Sequence, residues 1–449
     1  MGAHHLCILP GRDLCHGQLL RNCQRAPQQR SAIYADRPDA PMAGWLVGWK
    51  NIVSFLHYGE HFKQCRRLIH GLVGTPVSLK KLHHMHEHAS HKMLKSILAK
   101  PEDLDTLSCS STSGALLLRV VYGWSEDEHD HPFVQTADQA VNDLYIFFDS
   151  SSDSHGSQVH PVRHLPSWLP GTAFKRQAKG WSSTFDAMVD RPSRGSRVSW
   201  CTAGNNESSF VADHLREGVE DEFTVKWTAA SMSAAGPDTT AWTVFAFFKA
   251  MAMYPDVMKR AQAEIESVVG SDRLPQLSDR AQMPFIDAMV LESLRWHPVA
   301  PLGFPHRLTE DDHYEGFLLP KGALVQAKRR VTDVGITRDP AIYPNPHVFD
   351  PTRFMASETK QVQPNPEYTF GWGRRICPGR LMALEVLFIT YAQVLAVYNI
   401  SKGTENGVPV QPDVGRSEGV VSRPTAFKCD IKPRNKKALS LITDDFPIN

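Results

Sequence analysis

The segment Phe370-Gly371-Trp372-Gly373-Arg374-Arg375-Ile376-Cys377-Pro378-Gly379-Arg380 concentrates the residue types best suited to chemistry. Glycines ahead of a cysteine make a tight loop, and the apolar run from Pro378 to Val397 reads as a helix that follows at once. Backbone N–H groups at a helix start favour a thiolate, so Cys377 is a candidate for thiolate chemistry. Pro378 has no N–H, which leaves Gly379 and Arg380 to supply the donors. Two plainer readings compete. One is a glycine-rich turn around a buried cysteine. The other is a phosphate-cradling loop, but no Gly-Lys-Ser/Thr follows the glycines.

Other groups invite the same question. Ala235-Gly236-Pro237-Asp238-Thr239-Thr240 sets an acid and two hydroxyls in the middle of an apolar run. Back-bonding to the preceding turn explains one helix-internal threonine but not the whole cluster. Pro237 removes the donor to the Ser233 carbonyl and is expected to kink the helix. Glu292-Ser293-Leu294-Arg295 is an i,i+3 acid–base pair of a kind common on solvated helix faces, and Pro351-Thr352-Arg353-Phe354 lies downstream of it. His83, His84, His86, His88 and His91 crowd one helix. Around Glu87 the spacing is H-E-x-x-x-H, one residue too long for the zinc-protease motif, so a solvated helix face is expected.

The elements that position these residues are mostly helices. The strongest runs from about Phe223 to Tyr254 and stops at Pro255. At ~1.5 Å per residue it is over about 40 Å long, enough to cross a domain. The acid, hydroxyls, glycine and proline at its middle are costly in lipid, so it reads as a helix buried in a large core. Helices are also expected over Glu60 to Ala99, Ala137 to Phe148, Asp256 to Val269 and Pro284 to Trp296, with Pro378 to Val397 as the final one. Ser31 to Trp49 is turn-rich, and Asp149 to Gln158 and Asp190 to Ser208 read as loops. Short strands follow Trp296, with a turn at Tyr314-Glu315-Gly316. The fold class is therefore mainly α with a small β-rich portion.

Composition excludes more than it assigns. The chain has 449 residues and a net charge of +1, which gives no case for nucleic acid. Eight scattered cysteines contain no C-x-x-C pair, which argues against zinc fingers and thioredoxin-like chemistry. Met1 to Gln29 has neither a run of ~20 apolar residues nor a secretion signal, so no anchor is visible there.

The string F-G-x-G-x-R-x-C-x-G resembles the haem-binding loop of the cytochrome P-450 superfamily. The resemblance implies a haem-thiolate fold around one buried haem b. It makes Cys377 the axial iron ligand, with Phe370 packed by the sulfur, Arg375 paired with a haem propionate and Gly379 completing the loop. Glu292 and Arg295 of E-x-x-R, joined by Arg353 of P-x-R-F, form the buried network that fixes this loop. Ala235 to Thr240 resembles the family's [A/G]-G-x-[D/E]-T-T, which implies that Asp238 is the acid and Thr239 the alcohol delivering protons for O–O cleavage. Phe62-Lys63-Gln64-Cys65-Arg66 lies where the family has W-x-x-x-R, which makes Arg66 a propionate partner. Pro305-His306-Arg307 similarly implies Arg307.

Ser31 to Pro38, Val47 to Lys50, Pro166 to Pro170 and Leu308 to Asp312 are similar to the fungal O-methylsterigmatocystin oxidoreductase-like branch of secondary metabolism. The implied activity is oxidation of a small organic substrate with O2. Electrons come from NADPH through a flavoprotein, NADPH–cytochrome P-450 reductase. Residues 31–449 are expected to form the haem-thiolate domain, and 1–30 an atypical segment, as in an N-terminally truncated family member. Family members are anchored to the endoplasmic reticulum. With no anchor visible, a cytoplasmic or peripheral protein is expected. At Ala327 to Gly335, Lys328-Arg329-Arg330 stands where the family has a strand. The rivals are a haem-thiolate isomerase or dehydratase, which needs no external electrons, and a non-catalytic or degenerate haem-binding protein.

Overall fold

The protein is described by a computed structural model over residues 6–7, 30–104, 112–124, 132–150, 166, 168–169, 172–202, 208–218, 221–314, 317–325, 335–357, 361–413, 415, 417 and 421–444. Of the expected loop over Asp149 to Gln158, the first two residues end the helix Pro132–Ser150 instead, and the rest, with most of the basic segment (326–334), lies outside these residues.

Strand β1 (Leu6–Cys7) is followed by turns and a π-helical turn over Pro41–Val47. The helices then come in sequence: α1 (Glu60–Val73), α2 (Pro76–Lys80), α3 (His83–Ala99), α4 (Thr112–Tyr122), α5 (Pro132–Ser150), α6 (Ala173–Thr202), α7 (Phe210–Glu217), α8 (Glu222–Met253), α9 (Pro255–Val269) and α10 (Pro284–Trp296). After them come β2 (His306–Arg307), β3 (Asp312–Tyr314), β4 (Phe317–Leu319) and β5 (Leu324–Val325). Helix α11 (Arg380–Val397), β6 (Tyr398–Lys402), β7 (Thr404–Glu405), β8 (Val408–Pro409), β9 (Cys429–Pro433) and α12 (Lys436–Thr443) close the chain. Strand β5 runs parallel to β1 and antiparallel to β2, and β3–β4, β6–β9 and β7–β8 are antiparallel pairs.

Helix α8 forms where its local chemistry dictates. The Asp221 carboxylate accepts from Thr224 N at 3.0 Å and caps its first turn, and Pro255 ends it by opening α9. Its buried residues lie on every side, as a core helix requires. Helix α11 is equally apolar all round. Among the described residues it alone is long and apolar enough to cross a membrane, yet most of it is buried in the core. The two helices meet where Tyr391 stacks on Phe247, centroids 3.9 Å apart. The main core cluster lies here, between α3, α8, α9, α10, α11 and β6. Helix α10 starts at Pro284, and the Glu264 carboxylate of α9 accepts from the otherwise orphaned Phe285 and Ile286 N–H groups.

Three expectations are corrected. The expected loop from Asp190 continues α6 to Thr202, through Pro192. Phe185, Met188 and Val189 pack against Trp49, Val141 and Leu144, and this burial overrides the low helix propensity of the Ser, Gly and Pro that follow. Helix α11 is not the last, because Asn435 caps α12 by accepting from Ala438 N at 2.8 Å, and Ala438 and Ile442 are buried. The histidine-rich face of α3 is not wholly solvated. His86 shares a buried stripe with Ala89, Ser90, Met93, Leu94 and Ile97, and His91 Nε2 lies 3.1 Å from the Leu441 carbonyl.

Candidate active site

A cavity of about 360 Å³ lies between α1, α4, α8 and the loop ahead of α11. Cys377 lines it, together with Phe370, Gly371, Trp372, Arg375 and Gly379. The loop is closed by Cys377 N, which donates to the Phe370 carbonyl at 2.8 Å, and by Ile376 N, which donates to Gly373 O at 3.2 Å. Gly371 sits at φ +92°, a conformation side chains resist. Cys377 lies three residues before the first residue of α11, so the dipole of that helix favours its thiolate. Gly379 borders open space, so nothing in the structure demands a glycine there.

A buried network behind the loop holds it in place. Glu292 takes a two-pronged bond from Arg295, Nε to Oε2 and Nη2 to Oε1, both at 2.7 Å. Arg353 Nε approaches Glu292 Oε1 at 3.4 Å, and Asp350 N donates to the same oxygen at 2.7 Å. Burial pushes the Glu292 carboxyl upward, and the arginines oppose it. Arg295 also donates to the carbonyls of Thr337, Pro346 and Val348 and lies over the Tyr343 ring. The Tyr343 and Tyr368 hydroxyls are 3.2 Å apart, and Tyr368 O accepts from Gly371 N. The path from E-x-x-R to the cysteine loop is continuous.

Across the cavity, α8 presents Ala235, Gly236, Thr239 and Thr240. A Cβ at Gly236 would come within 2.2 Å of Leu117 Cδ1, so the glycine lets α4 approach. Thr239 Oγ1 donates to Ala235 O at 3.1 Å. Asp238 points elsewhere. It is buried beside Tyr145 and Arg423 and does not line the cavity.

Cations cluster along one wall. Arg66 donates to Ile376 O, and Arg375 donates to the carbonyls of Ala35, Val53 and Leu56. The Arg375 guanidinium stacks 3.8 Å above the ring of Phe62, the residue standing where the family has tryptophan. Burial pulls Arg375 down to about 10, with Asp36 opposing and Arg66 adding to the fall. Burial also lowers Arg66, and the charge of Cys377 opposes that. Half-buried cations whose bonds go to carbonyls, near one another, suit an anionic ligand.

Arg307 is not among the lining residues. It pairs with Asp36 at 2.6 Å and with Asp39 at 3.4 Å, while its strand neighbour His306 lines the cavity with Nδ1 2.7 Å from Tyr34 O. Neighbours on a strand face opposite ways, so only one of the two lines the cavity. Arg37, which donates to Ser54, Phe304 and Pro305 carbonyls, is a further lining cation that sequence reasoning missed.

A family model described as Cytochrome P450 matches residues 22–429. The chain belongs to the cytochrome P450 family. The match begins inside the stretch that looked foreign to the family. Cytochrome P450 monooxygenase 208 of Postia placenta is 39% identical over 420 residues, 93% of this chain and 80% of that protein. Cytochrome P450 monooxygenase claR of Ampulloclitocybe clavipes is 37% identical over 424 residues, 92% and 77%. A solved zebra fish cytochrome P450 with abiraterone shares the fold, with a TM-score of 0.71, 24% identity and coverage of 93% and 92%. This P450 is accordingly an oxidoreductase that incorporates oxygen. The family implies haem, and the lining fits it: a cysteine at a helix start, apolar walls, and half-buried cations whose own bonds go to carbonyls.

Proposed function

We propose that this P450 oxidises a small, largely apolar organic molecule of fungal secondary metabolism, with Cys377 as the residue that would hold the iron of haem b. The observation that carries the reading is that Cys377 and Thr239, from the α11 loop and from α8, line one mainly apolar cavity. When bound, haem supplies the activation of dioxygen and the oxidation of the substrate.

The chain's own residues do the rest. Cys377 would hold the iron through its thiolate, and the loop hydrogen bonds fix the cysteine's backbone. Arg66, Arg375 and His306 would hold the propionates, and Arg37 adds charge to the same wall. Phe370 packs by the sulfur. Thr239 holds a proton at Oγ1 inside the cavity, and Asp238 resupplies it. Leu116, Val120, Leu294 and Val299 exclude water. Residues 31–449 act as one haem-centred unit. Electrons come from NADPH through a flavin-containing reductase docked near Arg374 and Arg380, although Arg380 already pairs with Glu367 at 3.5 Å. Thr239 in the cavity speaks against an isomerase, which has no need of proton delivery.

The test is reconstitution with haem, a P450 reductase and NADPH under isotopically labelled dioxygen, with polyketide, terpenoid and indole candidates. The expected product carries one labelled oxygen atom. Turnover without NADPH, or product without label, would overturn the proposal.

A further inference from the structure

Lys249 lies in α8, beyond Thr239, and is wholly buried. A lysine is almost never buried so far unless its charge is met. Its Nζ donates to Thr425 Oγ1 at 2.7 Å, to Thr425 O at 3.2 Å and to Gly415 O at 3.4 Å. An ammonium has three donors, and all three go to one stretch of chain. The ammonium also lies 5.7 Å from the ring of Phe427, which packs on Phe245 of α8 with centroids 4.9 Å apart. Burial pulls the amine down to about 8, with Asp413 opposing, so the charge is costly to hold there. The proposed chemistry makes no use of it.

The stretch that Lys249 grips is a loop whose two sides are joined. Thr425 N donates to Gly415 O at 3.1 Å, and Ser417 N donates to Arg423 O at 2.8 Å. Arg423 N returns a bond to Ser417 Oγ at 2.8 Å. Lys249 bonds both sides at one end of this ladder. At the other end, Ser422 is buried against the residues that follow α10. Ser422 N donates to Val299 O at 2.8 Å, and its carbonyl accepts from His297 Nε2 at 3.0 Å. Val299 lines the cavity with Pro298 and Ala300, whereas none of the described residues of the loop does. An unbroken series of hydrogen bonds thus joins Lys249 to the cavity wall, although Lys249 does not line the cavity.

We infer that Lys249 is a positioning residue: through the loop at 413–427 it fixes the backbone at 298–300, and so governs how well the cavity accepts bulky ligands. The inference rests on the reading of the cavity as the haem and substrate site, and adds the part of the fold that holds its wall. Residues 298–303 belong to no helix or strand, so no ladder of their own holds them. A wall fixed before binding loses less conformational freedom when a ligand packs against it. A ligand too small to reach the wall is indifferent to it.

The test uses haem-loaded protein and two azoles, imidazole as the small probe and 4-phenylimidazole as the bulky one, each titrated by the change it makes in the haem spectrum. In Lys249→Met, 4-phenylimidazole should bind on the order of tenfold more weakly, as a misfitting methylene does in an apolar pocket, while imidazole stays within about twofold. Thr425→Val removes the shortest of the three bonds and leaves Lys249 its carbonyls, so it should show the same pattern with a smaller loss. Thr425→Ser keeps the hydroxyl and should bind both probes as the wild type does. Hydrogen exchange at the Ser422 and Thr425 amides should quicken in Lys249→Met. Unchanged or tighter 4-phenylimidazole binding in Lys249→Met overturns the inference, and Thr425→Val decides it in the same way if Lys249→Met does not fold. An equal loss for imidazole also overturns it, because that marks a general defect of the haem site. A wild-type spectrum that neither azole shifts would instead sink the underlying reading of the cavity.

Discussion

Replacing Glu292 by Gln removes the carboxylate that meets both Arg295 and Arg353 in the buried network. Arg295 is wholly buried and Arg353 nearly so. Gln keeps the shape and one acceptor oxygen, and Arg295 retains the carbonyls of Thr337, Pro346 and Val348. What is lost is one prong of a two-pronged bond and the counter-charge for two guanidiniums that cannot deprotonate. Breaking a buried ion network from one side costs about 3–5 kcal/mol, a large share of the ~5–15 kcal/mol that holds a typical protein folded. Arg353→Met should cost less, about 1–3 kcal/mol, because its contact with Glu292 is longer and Glu292 keeps Arg295. Denaturant unfolding followed by tryptophan fluorescence and by Soret absorbance measures both. Loss of haem should track loss of fold, since the network and the cysteine loop are joined through Tyr343 and Tyr368. A Glu292→Gln cost below about 1 kcal/mol, the worth of a surface pair, would refute the reasoning.

Gly371→Ala places a side chain at φ +92° and should cost about 1–2 kcal/mol while loosening the loop, read as lower haem retention. His306→Leu should weaken haem binding with little effect on folding. Arg307→Leu should do the reverse, because it removes one partner each from Asp36 and Asp39, and haem titration beside thermal melts separates the two. Burial lowers His86 to about 3, with His83 and His84 adding to the effect. Unfolded His86 takes up a proton below about 6.5 and folded His86 does not, so its contribution is full above that pH and falls on acidification toward 3. At about 1.4 kcal/mol per pH unit, roughly 2 kcal/mol is lost between pH 7 and pH 5. Glu385, raised by burial, works in the opposite sense, so the difference between wild type and His86→Phe is the quantity to measure. An unchanged acid slope in His86→Phe would contradict this assignment.

The sequence was most legible where punctuation and periodicity agreed. Pro284 opens α10 and the residues before Pro298 close it, as expected. Pro255 ends α8 in the same way, while Asp221 caps a start one residue ahead of the expected one. The cysteine loop was readable because its glycines, cysteine and following helix are contiguous. Residues near one another only in space were harder. Whether His306 or Arg307 faces the cavity depends on the register of a two-residue strand, and nothing local sets it. Asp238 and Thr239 are ~100° apart on a helix, so only the packing of α5 and the C-terminal segment decides which meets the cavity. The α3 histidines were half legible. His86 falls in step with Met93, Leu94 and Ile97, and that stripe marks it as buried despite its polarity.

Cys377 ligation is tested most directly by reducing haem-reconstituted protein, adding carbon monoxide and recording the difference spectrum. The red-shifted Soret band of a thiolate-ligated ferrous–CO haem is expected in the wild type and should be absent in Cys377→Ala. The same band persisting in Cys377→Ala, or haem taken up by the wild type without it, would contradict Cys377 as the ligand.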